Sequence, residues 1–222
     1  MSGILSALSS LNEGPRRYVA MGVGALLIVL AGYFMISKPD GLDDSPVRDV
    51  IRAGNKKNVN KLMEFTKDSD INKATEALAQ LARVQGVKAR ALMEQMLKDS
   101  RVDMRIAAAH QLEAIGDGKN CAPLIEALKD SDASVRMAVC RSLGSLHSGA
   151  GALAMLPMIE KEQPDVQMVA LTSVNRAMGV NFNYDLNGPP GRRRQIMENM
   201  RKFATVLAGN SDQKPVDISK TN

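Results

Sequence analysis

The phrase Lys-Asp-Ser recurs at Lys67-Asp68-Ser69, Lys98-Asp99-Ser100 and Lys129-Asp130-Ser131, and the interval between the first two copies is repeated between the second and the third. A degenerate fourth copy, Lys161-Glu162, falls a single position beyond the next such interval. On this register Leu81, Leu112 and Leu143 coincide, as do Val84, Ile115 and Leu146, Ala77, Ala108 and Val139, and, before the phrase, Leu62, Met93 and Leu124. Self-similarity at a period of roughly 31 residues is the signature of an array of supersecondary units. A unit so short cannot bury its own apolar stripe, so successive units must stack into one continuous core.

Each unit reads as two helices joined by the Lys-Asp-Ser turn. Ahead of the turn, Leu124, Ile125 and Leu128 share a face over Ala122 to Lys129; beyond it, Val135, Val139, Leu143 and Leu146 do so over Ala133 to Leu146. Spacings of three and four mark helices with one buried stripe. Gly86, Gly116-Asp117-Gly118 and Ser148-Gly149 separate the units. Aromatic residues are only 3% of the chain and Trp is absent, which argues against sandwiches and barrels built from aromatic and β-branched strands. The expected fold is all-α: an α-solenoid of about four helical hairpins over residues 58–180.

The units SRVDMRIAAAHQLEAIGD and SDASVRMAVCRSLGSL carry an acidic turn, a V-R-x-A-A-like run and a late leucine beside a small residue. In these features the chain resembles the HEAT-like repeat of the phycobilisome-lyase type. The resemblance implies that Asp99, Arg105, Asp130 and Arg136 are structural, the aspartates orienting the turns and the arginines reaching carboxylates or carbonyls between units. Outer units depart from the pattern, with Ala74 and Met168 standing where Arg105 and Arg136 do, and Asn175 replacing the expected leucine. Atypical end units are expected of an array whose terminal faces lack a neighbour.

Residues 18–36, YVAMGVGALLIVLAGYFMI, contain no charge and are long enough, as a helix, to span about 28 Å. Tyr18 at one end and Tyr33 with Phe34 at the other suit the two membrane interfaces. A cleaved signal peptide fits less well, because the apolar run is long and no A-x-A site follows. The reading is an uncleaved signal anchor in a bacterial cytoplasmic membrane. Arg16 and Arg17 against the run favour a cytoplasmic N-terminus and outward-facing repeats, although Lys38, Arg48, Arg52 and Lys56 lie on the far side. Residues 1–17 then form an N-terminal tail and 37–57 a linker.

After the repeats, residues 181–208 contain Phe182, Tyr184 and Phe203 and the arginine run Arg192-Arg193-Arg194. This piece resembles the tail that follows HEAT-like units in planctomycete-type bacterial proteins, and is expected to cap the end of the stack. Residues 209–222 are polar and are expected to lack order.

Chemistry is sparse. Two histidines, His110 and His147, are not at metal-ligand spacing, and no phosphate loop or nucleophile–base set appears. Cys121 and Cys140 fall on the two helices of one hairpin, where packed axes stand about 8–10 Å apart; two buried thiols fit better than a disulfide. Charges across the repeats are nearly balanced and aromatics are not interleaved with basic residues, so nucleic acid is not an expected partner. No cofactor, metal or catalytic residue is expected. The reading is a non-enzymatic membrane-anchored scaffold that binds an unidentified protein. Its candidate contacts are the outward columns of the second helices: Gln80, Arg83, His110, Gln111, Glu113, Arg141 and Arg176, with His110 aligned to Arg141 and Ser173. Rival readings are a chromophore-lyase-like subunit, from the resemblance alone, and a lipid-binding membrane organiser using Arg192 to Arg194.

Overall fold

The computed structural model describes residues 46–116 and 121–209. The tail 1–17, the apolar segment 18–36 and the polar tail from 210 on lie outside the described residues. Among those described there is no strand and no helix long and apolar enough to cross a membrane.

The first described helix corrects an expectation. Within the supposed linker 37–57, α1 (Arg48–Asn55) is helical and contributes to the core, with Val50 fully buried and Ala53 nearly so. Val50 stands one repeat period before the equally buried Leu81. Helix α1 therefore occupies the place of a truncated second helix ahead of the first full unit. A single apolar turn is too short a pattern to distinguish from a tether by periodicity.

Four hairpins follow. The first pairs α2 (Val59–Phe65) with α3 (Ile71–Gln85). The second pairs α4 (Arg90–Met96), entered through a 3-10 turn at Gly86–Ala89, with α5 (Val102–Ile115). The third pairs α6 (Ala122–Ala127) with α7 (Ala133–Ser145). In the fourth, the leading helix is broken at Leu156-Pro157 into α8 (Gly149–Met155) and α9 (Met158–Lys161), and pairs with α10 (Pro164–Met178). Leading helices are shorter than the ten residues expected, at six or seven. Each second helix packs on the next, α3 on α5, α5 on α7 and α7 on α10.

Local chemistry sets the ends. Asn58, Asp70, Asp132 and Ser148 accept backbone N–H groups of the turn that follows them, as N-caps do. Pro123 and Pro164 sit in first turns, where a missing N–H costs nothing. α10 closes on left-handed Gly179, with Val180 N–H bonded back to the Asn175 carbonyl. α7 closes the same way on His147, a residue with a side chain held at φ 51°, with Ser148 N–H bonded to the Leu143 carbonyl.

The core is a row of equivalent positions. Leu62, Met93, Leu124 and Met155 line the leading helices, and Thr66, Leu97, Leu128 and Ile159 lie four residues on; all are buried. In the second helices Ala77, Ala108, Val139 and Ala170 form one buried row, and Leu81, Leu112, Leu143 and Val174 another. The repeat period separates neighbours in every one of these rows. This corrects the sequence alignment of the last unit: Gln167 and Val174, not Met168 and Asn175, are the counterparts of Arg136 and Leu143. Met168 is in fact 53% exposed. The turn carboxylate Glu162 comes one position later than a full period after Asp130, so the last turn enters its helix one residue sooner. Counting from the turn slips the whole helix by one position. α7 and α10 approach closely through small residues; a Cβ on Gly144 would stand 2.9 Å from the Ser173 carbonyl oxygen.

The C-terminal segment ends in α11 (Pro190–Gly209), which packs on α8 and, less extensively, on α10. Gly149, at the start of α8, touches the backbone of Leu207 and Ala208 near the end of α11. Glu160 of α9 lies beside Arg193 and Arg194 near its beginning. α11 therefore runs antiparallel to α8, whereas the leading helices of successive units run parallel. Met197, Met200 and Ala204 are its buried face, and Phe203 meets Phe182 edge-on, centroids 5.7 Å apart. Tyr184 is buried, and burial raises its hydroxyl pKa.

Candidate functional site

The polar groups fall into two sets that do different things. The first is a ladder of arginines and carboxylates through the turns. In each Lys-Asp-Ser copy the aspartate Oδ1 accepts the backbone N–H two residues on, Asp70, Arg101 and Asp132 in turn, each at 2.9 Å. This local ring is the reason an aspartate stands there.

Arginines then tie one turn to the next. Arg105 of α5 donates from Nη1 to the carbonyls of its own turn, Asp99 and Ser100, at 3.0 and 3.2 Å. From Nε and Nη2 it grips both oxygens of Asp130 in the next turn, at 2.7 and 2.9 Å. Arg136 of α7 repeats the motif. Its Nη1 donates to the carbonyls of Asp130 and Ser131, and its Nη2 donates to Glu162 at 2.8 Å. A bidentate guanidinium–carboxylate pair fixes both distance and angle.

Where Ala74 replaces the arginine, the joint is made from the other side. Arg101 pairs with Asp99 through Nε and Nη2, both at 3.0 Å. It reaches back across the turns to the carbonyls of Asp68 at 3.1 Å and Thr66 at 2.9 Å. Sequence reasoning missed Arg101 because it occupies the column of Asp70 and Asp132, which cap their helices; α5 has no side-chain cap there.

The electrostatics agree. Hydrogen bonding from Arg101 holds the Asp99 carboxyl below its ordinary value. Burial pushes the Asp130 carboxyl up, but the bonds from Arg105 and the Asp132 N–H, with the charges of Arg105 and Arg136, outweigh it and the net shift is downward. The Arg101 and Arg105 guanidinium groups are held above theirs by the same bonds. These are groups arranged to stay charged, the opposite of a poised acid or base.

The second set is the outward face of the second helices. Arg83, His110, Arg141 and Arg176 are exposed, while Gln80, Gln111 and Glu113 are half-buried. Gln80 accepts from Arg83 and donates to Glu76, and Arg83 also donates to Asn55 at 3.2 Å. Arg176 donates to Ser145, its counterpart in the preceding unit, at 3.3 Å. The true register places His110 and Arg141 in line with exposed Thr172, not with Ser173, which is buried against Gly144. The structure therefore brings Gln80 and Arg83 into one network and spreads the remaining candidates over successive units.

Cys121 and Cys140 are both buried and no disulfide joins them. Cys140 lies 3.8 Å from the Met158 sulfur, and burial first, with the Glu162 charge second, pushes its thiol up to about 12. Such a thiol is a packing group and a poor nucleophile. A groove of about 470 Å³ runs between α9 and α11, lined by Glu160, Arg193, Arg194, Met197 and Arg201.

No curated protein matches the chain. The family model for HEAT repeats matches residues 89–175, so the stretch from the second hairpin through most of the fourth is similar to HEAT repeats.

Proposed function

We propose that this protein is a non-catalytic scaffold that holds a protein partner on the outward face of its second helices. HEAT repeats commonly serve as protein-interaction scaffolds. The observation that carries the reading is the division of polar groups. The weakly exposed Arg105, Asp130 and Arg136 are committed to ties between units. Arg83, His110, Arg141 and Arg176 remain exposed on a rigid row. A stack whose units are pinned at every turn presents that row with little conformational freedom left to lose, which favours binding.

The proposal includes a membrane anchor at residues 18–36, with the N-terminus in the cytoplasm of a bacterial cell and the repeats on the far side. The uncharged apolar run and its flanking Arg16 and Arg17 support it. Anchoring confines the stack to the membrane plane and raises its effective concentration for a membrane-bound partner.

Photo-crosslinking side chains placed at His110, Arg141 and Arg176 in the full-length protein, in its own membranes, test the first part. One shared crosslinked species from these three sites, absent from Glu126 and Lys129 on the leading-helix side, is the expected result. Equal labelling from both sides, or none, defeats the scaffold reading. Protease added to intact spheroplasts tests the second part: cleavage within the repeats is expected before lysis, and protection reverses the topology.

A further inference from the structure

The exposed cations of the second helices follow a rule that neither the repeat pattern nor the ladder requires. Each full unit offers one basic or imidazole side chain on the C-terminal half of its second helix: Arg83, His110, Arg141 and Arg176. On the repeat register these occupy only two columns. His110 and Arg141 share one; Arg83 and Arg176 share the other, four residues on. Positions four apart on a helix are neighbours on one face. The Arg176–Ser145 hydrogen bond shows that equivalent positions of adjacent units also touch.

Arg52, Arg101, Arg105 and Arg136 all pair with carboxylates. Among the described residues, Arg83, Arg141 and Arg176 stand at ion-pair distance from no carboxylate; Arg83 and Arg176 are steadied by neutral oxygens of Gln80, Asn55 and Ser145. One acid, Glu113, lies on the C-terminal halves of these helices, half-buried one turn beyond His110. Desolvated contact with a neutral or basic partner would leave three guanidinium charges unmet.

We infer that the partner's docking segment is an extended acidic stretch of polypeptide carrying a carboxylate at about every third residue. The spacing follows from geometry. Packed helices stand about 8–10 Å apart, and the four-residue step adds about 6 Å along the axis where the column changes, between Arg83 and His110 and between Arg141 and Arg176, so successive side chains are separated by roughly 8–12 Å. Three residues of extended chain cover about 10 Å. Arg83, Arg141 and Arg176 each meet a carboxylate, and the His110 imidazole donates to the remaining one. The segment crosses the second helices in unit order. This inference rests on the scaffold reading and names the chemistry of its partner.

The test uses full-length protein in detergent micelles and fluorescent peptides, read by anisotropy. One peptide has glutamate at every third position, separated by serine and glycine. A second has the same composition with the glutamates contiguous, and a third has glutamine throughout. The spaced peptide is expected to bind in low salt and to release as salt rises, with the contiguous isomer at least about fivefold weaker and the glutamine peptide not binding. Exposed ion pairs of this kind are worth about two- to fivefold each, so Arg141→Gln and Arg176→Gln each weaken the spaced peptide by that factor. Glu113→Gln strengthens it. Equal binding of the two isomers, no binding of either, or loss of binding on Arg192→Gln/Arg193→Gln/Arg194→Gln in place of Arg141→Gln overturns the inference. If crosslinks from His110 and Arg141 persist in membranes under those outcomes, the scaffold stands and only the acidic chemistry falls. If the crosslinks vanish as well, both fall.

Discussion

Replacing Arg105 by methionine isolates one rung of the ladder. Methionine keeps the apolar stem that packs against the turn but removes the guanidinium. Lost at one stroke are both bonds to Asp130 and those to the carbonyls of Asp99 and Ser100. Breaking a buried pair costs about 3–5 kcal/mol, whereas an exposed pair is worth about 0–1. Here the side chains are 12% and 10% exposed, which places the pair near the buried limit. Asp130, left behind, keeps the Asp132 N–H and the charge of Arg136. A cost of about 3 kcal/mol follows. Arg136→Met should cost less, about 2 kcal/mol, because its rung is a single bond to a carboxylate 23% exposed and its Nε already has no partner.

The acid limb supplies a sharper check. With Arg105 present, the folded pKa of Asp130 lies below its ordinary 3.8. Its stabilisation is therefore complete above that value and is lost as pH falls through the folded pKa. Without Arg105, the bonds and charge from that residue no longer hold the carboxyl down, so protonating Asp130 costs the variant less than it costs the parent. Urea unfolding of the full chain followed by circular dichroism should show a gap of about 3 kcal/mol at pH 7 that narrows below about pH 4. A gap under about 1 kcal/mol, or one that does not change with acid, would refute the ladder as a source of stability.

Two other substitutions probe the ends of helices. Gly149→Val should detach the C-terminal helix, since a Cβ there would lie 2.5 Å from the Ala208 backbone nitrogen, and limited proteolysis should then cut residues 180–190 faster while the ladder variants leave that rate alone. His147→Gly should raise stability by about 0.5–1 kcal/mol, because a left-handed residue with a side chain costs about 1–2 kcal/mol and glycine returns part of that as unfolded-state freedom. A lowered unfolding midpoint would mean that the imidazole has a contact worth more than the strain.

What the sequence made legible was whatever the period enforces. Leu62, Met93 and Leu124 had to be buried because every unit needs the same apolar wall, and the constant spacing names them without coordinates, whereas Met155, in the unit whose turn is displaced, was placed in that row by the structure. The structural roles of Asp99, Arg105, Asp130 and Arg136 came from the resemblance to HEAT-like repeats rather than from the period, and the arginine–carboxylate bonds between turns give those roles their physical content. The failures have a common cause, which is that an alignment tracks columns and a fold tracks contacts. The turn before α10 is one residue short, so a register counted from the turn misplaces Met168, Asn175 and Ser173 together. α1 holds too few residues for a stripe to declare itself. The selection of outward side chains was legible only as exposure, and the pairing that separates Arg141 from Arg136 needed distances.

Arg101 carries that lesson to a decisive test. A consensus argument would replace it by aspartate, matching Asp70 and Asp132 and supplying the missing cap of α5, a gain of about 1 kcal/mol. Contacts argue the reverse. The same substitution removes the tie to Asp99, releases the carbonyls of Asp68 and Thr66, and sets one carboxylate against another. That loss is about 2–3 kcal/mol, so Arg101→Asp alone should destabilise the protein by about 1–2 kcal/mol. Adding Ala74→Arg places a guanidinium in the column of Arg105 and Arg136, from which it can bond its own turn and grip Asp99. The double variant should recover most or all of the stability, a coupling that neither residue possesses alone. Ala74 is fully buried now, where Arg105 and Arg136 are 12% and 14% exposed, so the recovery requires that removing Arg101 opens the same surface. If Ala74→Arg instead adds its own penalty to that of Arg101→Asp, the first joint of the stack is built differently from the others, and the ladder is two rungs beside an unrelated contact.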